Sequence, residues 1–353
     1  MNTSFYWRQM QRKLLWATRF LAIIFLSGSH NLQAQQHTLN PQLFYVPIDS
    51  NYIVDHTMEL TGRLYLLSQD ASFMINRDNF KRIVYKPNVN FRIGIAGFWK
   101  WFGLGLSIEN PFYKKNASTY GTTSSVDLRV NAFGRAVAAE LYFQQYHGIY
   151  ISNPPKADGT KYLMPDMSAL TIGISAYWIY NASRFSIRAA FIQNERQKKS
   201  AGSFMIRPAF LFSRIDSPDG IIPAELKEQL HIPGSDLWVS GDMYSLGLSP
   251  GYSYSLIFLK NFYFTATVFP GIFWQYYVYE TTKDVYIEDE FSFQLGGRFA
   301  IGYNSDLWFI GGSVQGGLHE IPDILSDTFI HYDVAQFRIW GGTRFDWFRK
   351  KKK

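Results

Sequence analysis

Val126-Asp127-Leu128-Arg129-Val130-Asn131-Ala132 alternates large apolar residues with Asp, Arg and Asn. Successive side chains of a strand point to opposite faces, so this stretch predicts a strand between two unlike environments. Gly103-Leu104-Gly105-Leu106-Ser107 repeats the alternation with small residues on the polar face. Phe91-Arg92-Ile93-Gly94-Ile95-Ala96-Gly97-Phe98 does the same with Arg, Gly and Ala. A soluble sandwich keeps its bulkiest residues inside and its charges outside. The pattern here is reversed, as in a barrel with hydrocarbon around it and a polar interior.

Working outward, similar stretches of about ten residues recur from Thr57 on, and the connections between them alternate in length. Short turns are expected at Phe98–Trp101, Phe133–Ala136, Tyr180–Arg184, Leu259–Phe262 and Tyr303–Asp306, and longer polar segments at 109–121, 149–167, 280–290 and 318–331. Short turns at one rim and long loops at the other are the plan of bacterial outer-membrane barrels. With both termini at the short-turn rim the strand number is even. Strands at 57–67, 90–98, 101–109, 122–133, 136–148, 168–180, 184–194, 243–258, 262–279, 290–303, 306–317 and 332–346 make about twelve. Segments 71–85 and 203–215 would raise this to the alternative of fourteen. The prediction is an all-β chain with one transmembrane antiparallel β-barrel. Segment 216–240 reads as a long loop with one helical turn. Trp99, Trp101, Trp178, Tyr180, Trp274, Tyr276, Trp308, Trp340 and Trp347 are placed for interfacial girdles.

The N-terminus reads as an address. Arg8, Arg12, Lys13 and Arg19 precede the apolar run Phe20–Leu26, and a polar stretch ends in Leu32-Gln33-Ala34. That is the three-part plan of a signal peptide cleaved near Ala34, too short for a spanning helix. The expected divisions are a signal peptide at 1–34, an N-terminal periplasmic segment at 35–56, the barrel at 57–348 and a basic tail at 349–353. The formal charge of +7 is carried by the ends: four cations in residues 1–34 and five in Arg349–Lys353 leave the body at −2. A body so nearly neutral has no footprint for phosphate backbones, which excludes nucleic acid as a partner. With no cysteine there is no disulfide, thiol nucleophile or lipoprotein anchor. The partners expected are outer-membrane lipid and the barrel-assembly machinery, which would bind the aromatic-ended last strand running to Trp347 and Phe348.

Several stretches resemble a known family. They are Leu64-Tyr65-Leu66 with Ser72-Phe73, Tyr85-Lys86-Pro87-Asn88, Gln144 to Tyr150, Phe185 to Phe191, and Gln193-Asn194-Glu195-Arg196-Gln197-Lys198-Lys199-Ser200-Ala201-Gly202-Ser203. The last is the most specific. The chain resembles the Bacteroidetes-type outer-membrane proteins grouped as domain of unknown function 4421, which implies an outer-membrane barrel and no particular chemistry. A second resemblance, to barrel subunits of the type IX secretion and gliding apparatus, rests on Asn40-Pro41-Gln42-Leu43. It departs from the usual Asn-Pro-Ala-Tyr at the third position.

Candidate chemistry is sparse. Gly247-Leu248-Ser249-Pro250-Gly251 matches G-x-S-x-G, but that motif needs a helix after the serine, and here strand alternation continues through Tyr252 to Leu256. A lipid-modifying hydrolase would also need a histidine beside a serine. His147, His319 and His331 are pinned to none, and none makes a metal-pair spacing. Acidic residues at 284–290 and the stretch Asp216–Gly220 lack a calcium-loop spacing and read as solvated loops. No catalytic residue, metal or cofactor is expected. The charges that should face the lumen carry more weight: Arg92, Asp127, Arg129, Arg188 and Arg298. Inside a barrel such charges line an aqueous path or pair into a plug. The expected role is therefore a pore, a transporter or a structural-assembly part, with the type IX apparatus and a hydrolase as alternatives.

Overall fold

The structure, a computed structural model, describes residues 46–77, 80–89, 91–110, 116–230, 238–321 and 328–346, all within the compact unit Leu43–Lys353. The expected signal segment, Asn40–Leu43, Trp347, Phe348 and the basic tail lie outside the described residues. The strands are β1 (Ile53–Asp55), β2 (Leu60–Arg77), β3 (Phe80–Pro87), β4 (Arg92–Trp99), β5 (Phe102–Glu109), β6 (Ser124–Phe133), β7 (Val137–Asn153) and β8 (Tyr162–Ile179). They continue with β9 (Glu195–Gln197), β10 (Ala201–Asp216), β11 (Trp238–Phe258), β12 (Phe262–Thr281), β13 (Val285–Asn304), β14 (Trp308–Ile321) and β15 (Thr328–Phe345). Short helices interrupt them: α1 (Ala117–Tyr120), α2 (Ile187–Phe191) and α3 (Ala224–Leu230).

Twelve antiparallel strands close a ring in the order β2-β4-β5-β6-β7-β8-β10-β11-β12-β13-β14-β15, and β15 returns to β2 along its whole length. Closure leaves the ring without a free edge among the described residues except where β5 and β6 separate beyond Gly105 and Arg129. The predicted number holds, but with different members. Segment 184–194 is not a strand; it holds α2. Its place in the ring is taken by β10, which covers the additional segment 203–215. Segments 57–67 and 71–77 fuse into β2, and the chain then doubles back as β3.

β3 gives the wall an uneven build. It pairs with the far half of β2 (Phe73–Arg77) and with the far end of β7 (Ile149–Asn153). Nearer the termini, β4 to β6 fill the space between the same two strands. The ring thus has twelve strands at the end carrying the start of β2 and the finish of β15 (the proximal end) and ten at the distal rim.

The outer face is apolar. On β12, Val268 is 44 % and Ile272 63 % exposed, while inward Thr265 and Thr267 are fully buried. At about 3.3 Å per residue and a tilt of about 40°, the rise from Phe262 to Trp274 spans about 30 Å, close to the apolar band of about 25 Å that such barrels present to lipid. Aromatic rings cluster at the proximal rim, with Tyr303 stacked 4.5 Å from Trp308 and edge-on 5.2 Å from Phe262. Trp340 corrects the girdle prediction: it points inward and is 2 % exposed. Inward rings need glycine opposite them. A Cβ on Gly94 would lie 2.1 Å from the Tyr65 ring, and one on Gly103 2.1 Å from Phe98.

Candidate functional site

Four of the five proximal connections are tight turns of two or three residues; the fifth, residues 180–200, is long and folds into the mouth of the barrel. Ser186 begins α2 as a cap, its Oγ accepting from the Ala189 N–H at 3.0 Å. A helix this short leaves its last carbonyls without partners. The barrel wall supplies them: Asn304 Nδ2 donates to Ala189 O (3.1 Å), Tyr263 OH to Ala190 O (3.1 Å) and Arg63 Nη1 to Phe191 O (2.7 Å). After α2 the chain turns at Gln193, in the left-handed region at φ 66°, whose carbonyl accepts from Arg344 Nε at 2.8 Å. It then pairs with β1 as β9. Phe185, Ile187, Ala190 and Ile192 pack against the inward rings of Phe98, Phe133, Tyr263 and Phe309.

Glu195 is the electrostatic centre of this plug. It is buried and holds Arg188 Nη1 at 3.1 Å, Arg135 Nη2 at 2.9 Å and the Ser186 hydroxyl at 2.6 Å. Burial pushes the Arg188 guanidinium below the usual arginine range, against the opposing pull of Glu195. The resemblance motif maps onto the same structure. Gln197 Oε1 accepts from Ser186 N–H, and its Nε2 donates to Arg184 O. The Lys198 N–H donates to Tyr52 O and its Nζ to Ser50 O, Lys199 lies over the Tyr52 ring, and Ser200 Oγ accepts from Ile257 N–H. Gly202 O accepts from Asn181 Nδ2. The motif is the plug and its moorings.

The distal mouth is filled too. Ile221 and Leu226 are buried among Phe73, Tyr85, Met164, Tyr277 and Tyr279. Tyr85 OH donates to Ile221 O (2.8 Å), and Tyr162 OH to Gln229 Oε1 (2.6 Å).

Between these two apolar stoppers lies a polar chamber. Cavities of about 150 Å³ and 60 Å³ share Arg129, Glu140, Arg298 and Gln315 in their walls, and a third of about 20 Å³ adjoins them at Arg63, Arg129 and Arg338. Among the described residues, five arginines (63, 129, 207, 298 and 338) line them against two carboxylates, Asp127 and Glu140. Arg298 on β13 reaches nearly across the ring to Glu140 on β7 in a bidentate pair, 2.9 and 2.6 Å, and Tyr177 OH donates to the same carboxylate at 2.8 Å. This brace crosses the lumen. Asp127 is held by Arg129 (3.2 Å) and Gln144 (2.8 Å).

Of the charges predicted to face the lumen, Arg129 and Arg298 line the main chamber and Asp127 a side cavity. Arg92 lies elsewhere, at the fork where β5 and β6 part company. It donates to Ser107 Oγ (3.2 Å) and Ser125 Oγ (2.7 Å), and Ser125 donates to Glu109 (2.7 Å). Arg188 is corrected: it belongs to the plug and not to a strand. Arg63, Arg207 and Arg338 were missed, although strand parity signals them, since each adjoins an outward apolar residue: Leu64, Ile206 and Phe337. Ser249 sits inside β11, which continues through Phe258 with no helix after it, and accepts from Arg207 Nη2 at 3.4 Å. Among the described residues no group of three or more metal-ligating side chains occurs.

The family described as Domain of unknown function (DUF4421) matches residues 47–329, a span that takes in the whole plug and most of the chamber wall but ends before Gln336, Arg338, Trp340 and Arg344. The chain belongs to this family. No curated protein matches this DUF4421 chain in sequence. In fold it is similar to the outer membrane protease OmpT from Escherichia coli, at 8 % identity and a TM-score of 0.34, over 82 % of this chain and 97 % of that one. It is also similar to the P. putida toluene transporter TodX (9 % identity, TM-score 0.32, 83 % and 91 %) and to the translocator domain of the autotransporter NalP from Neisseria meningitidis (7 %, 0.31, 85 % and 90 %). At these values the likeness carries nothing about activity.

Proposed function

We propose that this DUF4421 protein is an outer-membrane barrel that passes small polar solutes through a doubly gated lumen, with residues 180–200 as the proximal gate. The observation that carries this reading is the arginine-lined chamber between two apolar stoppers, each built from a long connection. A purely structural barrel gains nothing from a buried polar chamber, since burying charge costs free energy. The reading also takes lipid as the partner of the outer face, a signal peptide cleaved near Ala34 as the route of export, and the assembly machinery as the receptor of β15. It gives the proximal end to the periplasm, where short turns and termini belong. It assigns the barrel no catalytic role.

Planar-bilayer conductance of the refolded barrel tests it. The intact protein should stay silent. A variant with Ser186–Gln197 replaced by a Gly/Ser linker and with Leu226→Asp in the distal stopper should give steady single-channel steps. Should removing the plug prevent folding, Asn304→Ala with Leu226→Asp loosens the moorings instead and should give brief openings. A folded, heat-modifiable barrel that stays silent with both gates weakened would sink the transport reading.

A further inference from the structure

We infer that the chamber holds a specific site for a small oxyanion, such as phosphate or a carboxylate, between Arg63, Arg129, Arg338 and Trp340. As the class of solute carried, this rests on the transport reading above; as a binding site it is tested without any flux.

The chamber wall leaves several buried donors unpaired. In the cavity of about 60 Å³ beneath the plug tip, three lining polar atoms are buried without a hydrogen-bond partner among the described residues: Arg63 Nε, Arg338 Nε and Trp340 Nε1. All three are donors. Guanidinium and indole nitrogens have no acceptor capacity, so only an acceptor-rich ligand can satisfy them. Arg63 is 6 % exposed and, among the described residues, makes no ion pair; its other donors reach Phe191 O and Gln193 Oε1. Among the same residues Arg338 meets no carboxylate and donates to Gln336 Oε1 at 3.3 Å. Both guanidinium groups stand over the Tyr65 ring, at 5.7 and 5.1 Å. The ring face eases their mutual approach but cancels no charge.

Charge counting points the same way. Glu140 is engaged on both oxygens by Arg298, and Asp127 by Arg129 and Gln144. The two carboxylates are therefore committed, and the remaining arginines face the cavity in excess. Uncompensated buried cations are strongly unfavourable. A planar or tetrahedral oxyanion matches the guanidinium fork, accepting several charge-assisted bonds at once. Space is sufficient, since a water needs only about 10–15 Å³. The adjoining larger cavity leaves room for a substituent on the anion, so an organic phosphate or carboxylate is accommodated along with the inorganic ion.

Equilibrium dialysis of labelled inorganic phosphate against the detergent-solubilised full-length protein tests the site. The expected result is saturable binding of one phosphate per barrel, weakened at least tenfold by Arg338→Gln. Arg338 touches neither stopper, so this variant should keep its heat-modifiable migration. Glu140→Gln removes the competing internal anion and should tighten binding severalfold. Absence of phosphate binding to a folded barrel would overturn the site, as would binding that ignores both substitutions. Displacement by an equal concentration of chloride would overturn the oxyanion assignment. Phosphate binding by a barrel that never conducts would leave the site standing and remove the transport reading alone.

Discussion

Glu195 answers two arginines and a serine from one buried carboxylate, so its neutral counterpart is a sharp test of the plug. Glu195→Gln takes the ion-pair partner from Arg188 and leaves Arg135 only Asp55, at 3.9 Å. Breaking a buried pair from one side costs about 3–5 kcal/mol. The variant should show a loosened 180–200 segment, read as faster proteolysis there, and a lowered unfolding midpoint in urea. A companion pair tests the wall. Gly103→Ala would put a Cβ 2.1 Å from the Phe98 ring and should cost about 1–3 kcal/mol by overpacking. Gly97→Ala, with nothing within 4 Å, should be close to neutral under the same measurement. Equal effects at the two positions would contradict the packing of inward rings over inward glycines.

At the scale of the element, what the sequence disclosed and what it concealed have one cause. Period-two alternation made β6, β11, β12 and β13 legible, because lipid and lumen impose opposite chemistry on alternate residues. The same parity could have placed Trp340 inward, since Phe337, Ile339 and Gly341 hold the other face of β15. The plug escaped because Phe185, Ile187, Ala189 and Phe191 also alternate. Packed against the barrel wall on several sides, those residues meet no lipid, and a short helix of apolar and small residues imitates a strand. Ser186 as a cap and the polar density of 193–200 were the available signals. The arginine chamber was half legible: parity turned Arg129 and Arg298 inward, but nothing along the chain pairs Arg298 with Glu140 across the ring. The element-scale prediction follows from orientation. Leu248→Arg on the outer face of β11 should cost about 2–4 kcal/mol near the bilayer midplane, and Leu259→Arg at the proximal turn about 0–1 kcal/mol. Urea titration in vesicles reads both, and a reversed order would place the membrane wrongly on the barrel.

At the scale of the whole molecule the two stoppers act in series. Opening either one alone leaves the other closed, so Leu226→Asp without a plug lesion should conduct no more than the intact barrel, and only the combination should conduct. Additive conductance from the single variants would show that they guard separate paths. The unequal ring sets a direction on this arrangement. The plug is seated in the twelve-strand mouth, and the distal rim is two strands, a sixth of the circumference, smaller. The plug therefore has the wider opening in front of it and the narrower rim behind it, across the chamber. On the proposed transport reading it yields toward the wide side, so its release is worked from the side on which β2 starts and β15 finishes.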